Sequence, residues 1–176
     1  MAEPAPLIAR TPMSLDEFWS LDVVLAELVE GQPIFMSSPD IRHQRASRRL
    51  ARALEDACPP GYEVLGAPMD WVLWELPRAT VRQPDLLVVR FEPDNRPRVT
   101  QPPLLAVEVV SPSSQERDLV AKRRDYARAG CEHYWIVEPD SPLVVCLRRR
   151  DGEGYAAGAS DRPVLTAAGQ LSRSGP

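Results

Sequence analysis

The sequence predicts a single α/β or α+β domain with a central mixed β-sheet flanked by helices. Helical apolar periods and short apolar runs alternate along the chain, in the order helix, two strands, helix, three strands, helix, two strands. The 176 residues are enough for one domain. A hydrophobic content of 44% and a charged content of 26% are typical of a globular protein, so the apolar runs can form one core.

Composition narrows the possible functions. The formal net charge of -4 argues against a generally basic nucleic-acid-binding protein, so phosphate contacts would need a local concentration of arginine. No apolar run reaches the roughly 20 residues of a membrane span, and residues 1–14 lack the pattern of a secretory signal. Cys58, Cys131 and Cys146 form no CxxC pair, which favours free thiols over structural zinc. We therefore expect a cytoplasmic protein.

The first elements follow a flexible N-terminal arm, which we expect over residues 1–12. Ser14 and Glu17 form a capping box that opens a short helix. Residues 23–36 then predict two strands around a tight turn at Glu30 and Gly31.

Residues 41–57 predict a second helix, with apolar side chains on one face and arginines on another. Several phosphates could contact such an arginine stripe, so it is the best candidate for a nucleic-acid-binding surface, although stripes of this kind also occur as plain solvated faces. The stripe consists of Arg42, Arg45, Arg49 and Arg52. His43 beside it could position a phosphate or contact Glu27, or could be an ordinary polar residue at the helix start.

The later elements alternate in type. Strands are predicted at residues 68–74, 85–91, 104–110, 134–137 and 143–147. After the third of these strands, a capping box at Ser113 and Glu116 opens a helix that ends before Gly130. We expect the folded domain to span residues 13–158, followed by a loose C-terminal tail over residues 159–176.

Two carboxylates interrupt the apolar strands. Strand alternation places Glu108 on one face with Leu104, Ala106 and Val110. Among such neighbours an ionised carboxylate must be paired, metal-bound or at a sheet edge facing water. The ordinary alternative is a partly exposed Glu that is paired with an arginine. Asp85 opens another apolar run, where its ordinary alternative is a turn residue before a strand.

The spacing between Asp85 and Glu108 equals one strand, a connection and a second strand. This spacing would place the two carboxylates side by side on neighbouring strands. Two hard oxygen ligands suit Mg²⁺ or Mn²⁺ better than zinc. Such an ion could activate water and neutralise charge during phosphodiester hydrolysis.

Lys122 is the only lysine among 21 basic residues. It lies on the helix after Glu108, on one face with Asp118 and Tyr126, and its stem could reach back over the end of the Glu108 strand. There its ammonium could orient water or stabilise an oxyanion. The alternative is a single lysine on a solvated helix face.

Several stretches of the chain resemble one known family. They are 83–85, 103–113, Lys122, 126–130 and 134–137, with 27–31, 38–39 and 43–44 further upstream. These stretches are similar to the Uma-two family of restriction-endonuclease-like proteins, which belongs to the PD-(D/E)xK nuclease superfamily. The resemblance covers residues 14–156.

The resemblance implies a restriction-endonuclease-like core, with Asp85 and Glu108 as ligands of Mg²⁺ or Mn²⁺ and Glu27 as an accessory acid. The superfamily usually carries its lysine two residues after the glutamate, where this chain has Val110. The resemblance implies that Lys122, on the following helix, replaces it. A second departure is the ending over residues 165–176, which lacks the apolar strand and acidic helix that usually close such proteins.

We therefore expect a metal-dependent endonuclease that hydrolyses DNA, with Asp85, Glu108, Lys122 and Glu27 in the catalytic site. Cutting both strands calls for two sites, so a homodimer or higher homo-oligomer is expected. The main alternative is a catalytically inactive nucleic-acid-binding or dimerisation module with the same fold. A third reading is a metal-dependent hydrolase of another phosphate ester.

Overall fold

The computed structural model describes residues 11–93, 96–110, 116–139, 144–150, 154–157, 164–165 and 171–172. The helices in these residues are α1 (Leu15–Ser20), α2 (Ile41–Ala57) and α3 (Glu116–Arg128). The strands are β1 (Ala26–Val29), β2 (Gln32–Phe35), β3 (Tyr62–Gly66), β4 (Trp71–Trp74), β5 (Thr80–Arg82), β6 (Leu86–Arg90), β7 (Leu105–Val109), β8 (His133–Val137), β9 (Val144–Arg150), β10 (Gly154–Ala157), β11 (Val164–Leu165) and β12 (Leu171–Ser172). The predicted N-terminal arm up to residue 10 and the predicted cap Ser113 lie outside the described residues.

Two sheets organise the domain. The larger has six strands in the order β10-β9-β8-β7-β6-β3, and the smaller has four in the order β2-β1-β5-β4. In the larger sheet β7 and β8 are parallel while the other neighbours are antiparallel, so the predicted mixed sheet is confirmed. The parallel pair needs a crossover connection, which α3 provides between the two strands. A short antiparallel pair, β11 with β12, lies further along the chain.

Local sequence signals set the early elements. The capping box of Ser14 and Glu17 is present at the start of α1, as predicted. The turn between β1 and β2 uses positive φ angles of 50° at Glu30 and 77° at Gly31. Glycine is required at the second position because a Cβ there would lie 2.5 Å from the Cβ of Pro12. The α2 bounds agree with the prediction, and Asp40 caps that helix by accepting a hydrogen bond from the His43 N–H at 2.8 Å.

Five strands were not predicted from the sequence, namely β3, β5, β10 and the short pair β11 and β12. The strand β3 lies at the edge of the larger sheet, and β5 has only three residues, all of them buried. The strand β10 lies where the sequence turns small and polar, and the predicted strand over 68–74 begins only at Trp71. Short strands of this kind depend on pairing with distant strands, so local periodicity does not reveal them.

The core lies on both faces of the larger sheet. On one face α2 packs through Leu50 and Leu54 against β6 and β7. On the opposite face Tyr126 and Ala127 of α3 pack against the same two strands and β8. A third cluster, which includes Phe18 of α1, covers the smaller sheet. The site described below lies between α3 and the two sheets.

None of the three cysteines takes part in a disulfide. Burial raises the pKa of Cys131 to about 12, so this thiol stays protonated in the core. Within the described residues, no helix is both long and apolar enough to span a bilayer.

Candidate active site

The strand β7 directs Glu108 toward α3. Ala106 packs on the α3 side of the sheet and Val107 on the α2 side. Because side chains alternate along a strand, Glu108 lies on the same side as Ala106. Glu108 is 7% exposed. Its Oε1 accepts a hydrogen bond of 2.6 Å from the Tyr126 hydroxyl, and its Oε2 accepts one of 3.1 Å from Lys122 Nζ. The alternative of a partly exposed glutamate paired with an arginine is therefore wrong.

Lys122 lies inside the protein rather than on a solvated helix face. Its residue exposure is 5%, and its Nζ lies 3.1 Å from Glu108 Oε2 and 3.4 Å from Glu27 Oε1. Glu27 belongs to β1 of the smaller sheet, so one ammonium joins carboxylates from both sheets. The stem of Lys122 does reach back to the Glu108 strand, as the helix position predicts.

Asp85 lies next to Glu108, as its spacing predicts. The antiparallel register pairs Leu86 with Val107, so the preceding Asp85 lies opposite Glu108. Its Oδ2 accepts a hydrogen bond of 2.7 Å from the Val109 N–H, and its Oδ1 lies 3.0 Å from His43 Nε2. The Asp85 side chain is 16% exposed, compared with 9% for Glu108 and 3% for Glu27. Asp85 is thus the most accessible of the three carboxylates.

His43 contacts Asp85, so the predicted contact with Glu27 is wrong. The cause is the position of α2, which packs on the face of the larger sheet opposite to α3 and meets the chain where β6 begins. The hydrogen bond to Asp85 raises the pKa of His43, burial opposes this rise, and the negative charges of Asp85, Asp40 and Glu108 add to it. The imidazolium form is therefore favoured beside Asp85.

Burial and neighbouring charges shift the pKa values of the site carboxylates. The pKa of Glu108 is raised from 4.5 to about 7, chiefly by burial and also by the charges of Asp85 and Glu27, against the lowering effects of Lys122 and the Tyr126 hydroxyl. For Glu27 burial also raises the pKa, but the charges of Lys122 and Arg82 outweigh it, so the pKa is lowered overall. Glu27 is ionised at neutral pH, and Glu108 titrates near neutrality.

Arg82 and Asp125 belong to the site, although sequence reasoning missed both. Arg82 is 1% exposed and joins Glu27 at 2.8 Å to Asp125 at 2.7 Å. Asp125 follows Lys122 by three residues on α3, which places both on one side of that helix. This i, i+3 spacing was the available signal for Asp125. We call Glu108, Lys122, Glu27, Arg82 and Asp125 the ionic network.

A cleft of about 590 Å³ opens beside Asp85, between α2 and the segment that follows β3. His43 and Asp85 line this cleft, and so do Arg45 and Arg48 of α2. The other predicted nucleic-acid-binding arginines, Arg42 and Arg49, are exposed on α2 but are not among the lining residues. The arginine stripe is therefore divided between the cleft and the outer surface of the helix.

The carboxylates of the site suit an ion such as Mg²⁺, which needs few protein ligands, better than a metal that is bound by protein side chains alone. Within the described ranges, no three His, Cys, Asp or Glu side chains are grouped to hold a metal ion by themselves. Mg²⁺ is usually bound by one or two carboxylates, with waters and substrate phosphate oxygens completing its shell. Asp85, which directly precedes β6, and Glu108 in the neighbouring β7 could provide such a pair. A cation there would also relieve the crowding that raises the pKa of Glu108.

The mixed sheet and its helices define a restriction-endonuclease-like fold. The chain belongs to the Uma2 (Uma-two) family, whose model, described as "Putative restriction endonuclease", matches residues 16–168. The resemblance found in the sequence is thereby confirmed. Among solved structures, the chain is similar to a putative nuclease belonging to DUF820 from Anabaena variabilis. That match has a TM-score of 0.66 at 16% identity and covers 85% of this chain and 87% of the other. No curated protein matches the chain.

Proposed function

We propose that the protein is a divalent-metal-dependent endonuclease that hydrolyses phosphodiester bonds of DNA. One observation carries the proposal. The only lysine of the chain is buried between Glu108 and Glu27, and Asp85 directly precedes the strand that pairs beside Glu108. Membership of a nuclease family supplies the nucleic-acid substrate class.

Asp85 and Glu108 are the residues that would hold Mg²⁺ or Mn²⁺. When bound, the ion would lower the pKa of the attacking water and neutralise charge on the phosphate. The Val109 N–H fixes the orientation of the Asp85 carboxylate through its 2.7 Å hydrogen bond. The Tyr126 hydroxyl does the same for Glu108, so both carboxylates are oriented by groups that lie in rigid elements.

Lys122 is the candidate for stabilising the transition state. Its ammonium lies 3.1 Å from Glu108 Oε2 and 3.4 Å from Glu27 Oε1. Its positive charge could stabilise an oxygen on which negative charge develops, which is where such a group accelerates hydrolysis. Glu27 is the proposed accessory acid. It contacts the ammonium of Lys122 from the smaller sheet, with 3.4 Å between Glu27 Oε1 and Lys122 Nζ.

Substrate binding is assigned to α2. His43 and Arg45 face the cleft beside Asp85, while Arg42 and Arg49 could meet phosphates on the outer surface of the helix. Cleavage of both strands of a duplex would need two such sites, so we propose a homodimer or higher homo-oligomer for that activity.

Calorimetric titration of Mn²⁺ tests the metal site without knowledge of the substrate. We expect saturable binding to the wild type and none to the double variant Asp85→Asn, Glu108→Gln. Glu55→Gln, an exposed carboxyl on α2, serves as the control with the same chemical change. A folded wild type that takes up no Mn²⁺, or a double variant that binds like the wild type, would contradict the metal assignment.

Lys122→Met then tests catalysis separately from metal binding. Removing one charged transition-state donor costs about 10²- to 10³-fold in rate. We therefore expect Mn²⁺ binding to persist while the initial rate of DNA cleavage falls by about that factor. Cleavage at the wild-type rate would exclude a catalytic role for this lysine.

The second candidate is a catalytically inactive nucleic-acid-binding module. One observation favours it, since both oxygens of Glu108 have protein partners, Tyr126 and Lys122. Such a module would retain DNA in a gel-shift experiment with Mn²⁺ but would leave the strand intact after prolonged incubation.

A further inference from the structure

We infer that the cleft beside Asp85 admits one unpaired DNA strand, so that the substrate is single-stranded or locally melted DNA rather than intact duplex. This inference rests on the proposed nuclease function and names its substrate class. It depends on where the site is accessible, on the size and walls of the cleft, and on its charge.

The buried part of the site has one described opening beside it. Glu108, Lys122 and Glu27 are between 3% and 7% exposed. Among the described site residues, Asp85 and His43 are the ones that line the cleft. Within the described residues, the cleft is therefore the route by which a scissile phosphate would approach Asp85. The strands of an intact duplex are held by pairing and stacking, and enzymes that act at recessed sites take the nucleotide out of the stack or use single strands.

The cleft has the size and walls of a nucleotide site. Its volume of about 590 Å³ falls within the range of small-ligand pockets. Apolar side chains of Leu25, Ile41 and Leu86 form part of the wall and can cover the face of a base. Gln44 lies among them as a donor and acceptor for a base edge. The imidazole of His43 is a flat ring of the kind on which unpaired bases stack.

The charge of the cleft suits a short single strand. Arg45 and Arg48 are its two arginines, and the carboxylate of Asp40 at its edge is engaged in capping α2. Two cations match two phosphates of an extended strand. Arg42 and Arg49 lie outside the cleft, so the cleft itself matches about two phosphates, whereas a duplex-binding protein can neutralise about 6–10.

Fluorescence anisotropy in EDTA tests the inference, because no cleavage then interferes. The probes are a labelled eight-nucleotide DNA strand and a hairpin duplex of the same sequence. We expect the single strand to bind the wild type about tenfold more tightly than the duplex. For two phosphate contacts, the slope of log K against log salt should be about -1.4 with a single strand.

Arg48→Gln should weaken single-strand binding about tenfold and reduce the magnitude of the salt slope by about 0.7, because one phosphate contact is lost. The matched control is Arg78→Gln, which removes the same charge from an exposed position in the β4–β5 connection. The control should bind both probes like the wild type.

Gly66→Leu tests the cleft without changing charge. Gly66 lines the cleft, has no positive φ, and an added Cβ would meet only Leu86 Cδ2 at 3.8 Å. The backbone can therefore accept the side chain, which would occupy cleft space. We expect loss of single-strand binding with an unchanged circular dichroism spectrum.

Two results would overturn the inference: duplex binding as tight as single-strand binding, or wild-type affinity in the folded Gly66→Leu variant. A failure of the proposed nuclease function would give a different pattern of results. Mn²⁺-dependent cleavage of both probes at equal rates would refute strand selection and leave the nuclease proposal intact. Selective single-strand binding without any cleavage in Mn²⁺ would refute the nuclease proposal and leave strand selection supported.

Discussion

The two faces of the six-stranded sheet bury side chains of different kinds. The α2 face is apolar, with Leu50 and Leu54 packed over Leu105 and Val107. The α3 face buries an aromatic core together with the ionic network. Burying apolar surface stabilises a fold directly, whereas buried ion pairs often come close to offsetting their own desolvation cost. The α2 face therefore supplies stability directly, whereas the complete set of charges on the α3 face is expected to add little net stability, and its proposed role is catalytic.

The largest effect is expected from removing the charge of Glu108. Glu108→Gln should lower the DNA cleavage rate by about 10³-fold, because a ligand and a partner of Lys122 are both lost. The free energy of unfolding at pH 8 should stay equal or rise, because burial and neighbouring carboxylates disfavour the ionised Glu108. Initial rates and urea denaturation of the metal-free protein measure the two effects. If the variant cleaved DNA at the wild-type rate, the charges on the α3 face would have no catalytic role.

On the other face, Leu50→Ala should show the opposite pattern. Leu50 is 1% exposed, and truncating such a side chain costs about 2–5 kcal/mol through lost burial and a cavity. Cleavage per folded molecule should be unchanged at a temperature where the variant remains folded. Urea denaturation measures the first effect and initial rates the second. A lower cleavage rate without a lower free energy of unfolding would mean that the α2 face also contributes to catalysis.

The pH dependence of the metal-free protein should sharpen the contrast. The pKa of Glu108 is raised from 4.5 to about 7, so the folded state binds more protons than the unfolded state between these values. Stability should therefore fall as the pH rises from about 4.5 to about 7. The raised pKa of His43 acts in the same direction, because its contribution is lost as the pH rises through the folded value.

Urea midpoints in EDTA at pH 5, 6, 7 and 8 measure this dependence. Glu108→Gln should flatten the profile, whereas Leu50→Ala should shift the whole curve downward without changing its shape. The lowered pKa of Glu27 acts in a separate window, since its contribution is lost only as the pH falls below 4.5. A Glu108→Gln profile as steep as that of the wild type would contradict the assignment.

The smallest effect is expected at the start of α2. Asp40→Ala removes the cap that accepts the His43 N–H and should cost about 1 kcal/mol of stability. The matched control Asp56→Ala removes an exposed carboxylate from the last turn of the same helix, where a negative charge opposes the helix dipole. Thermal denaturation should show a lower Tm for the first variant and an equal or higher Tm for the second.

Much of the fold and part of the site could be predicted from local pattern. The α2 bounds follow from an apolar period with a proline stop, and the placement of Glu108 follows from strand alternation. The approach of Lys122 to Glu108 follows from a long side chain on the next helix. In each case the signal lies within a few residues or in the spacing of two neighbouring elements.

The partners that come from distant parts of the chain could not be predicted in this way. Arg82 meets Asp125 across 43 residues and Glu27 across 55. In a chain with many arginines, nothing in the residues beside Arg82 shows that its side chain is buried, with 1% of the residue exposed. For His43 the sequence leaves three interpretations open, namely a phosphate contact, a contact with Glu27 and an ordinary polar residue at the helix start. Its contact with Asp85 depends on how α2 lies across the sheet.

The ionic network also affects which of its residues can change during evolution. Glu27 and Arg82 belong to the smaller sheet, Glu108 to the larger, and Lys122 with Asp125 to the helix between them. Removing Arg82 or Lys122 alone would leave carboxylates buried beside one another, which is costly even where the complete network adds little net stability. The lysine is therefore expected to persist in a relative whether or not that relative cleaves DNA. Asp85 lies outside the network, so its loss or retention is the clearer historical marker of enzymatic activity.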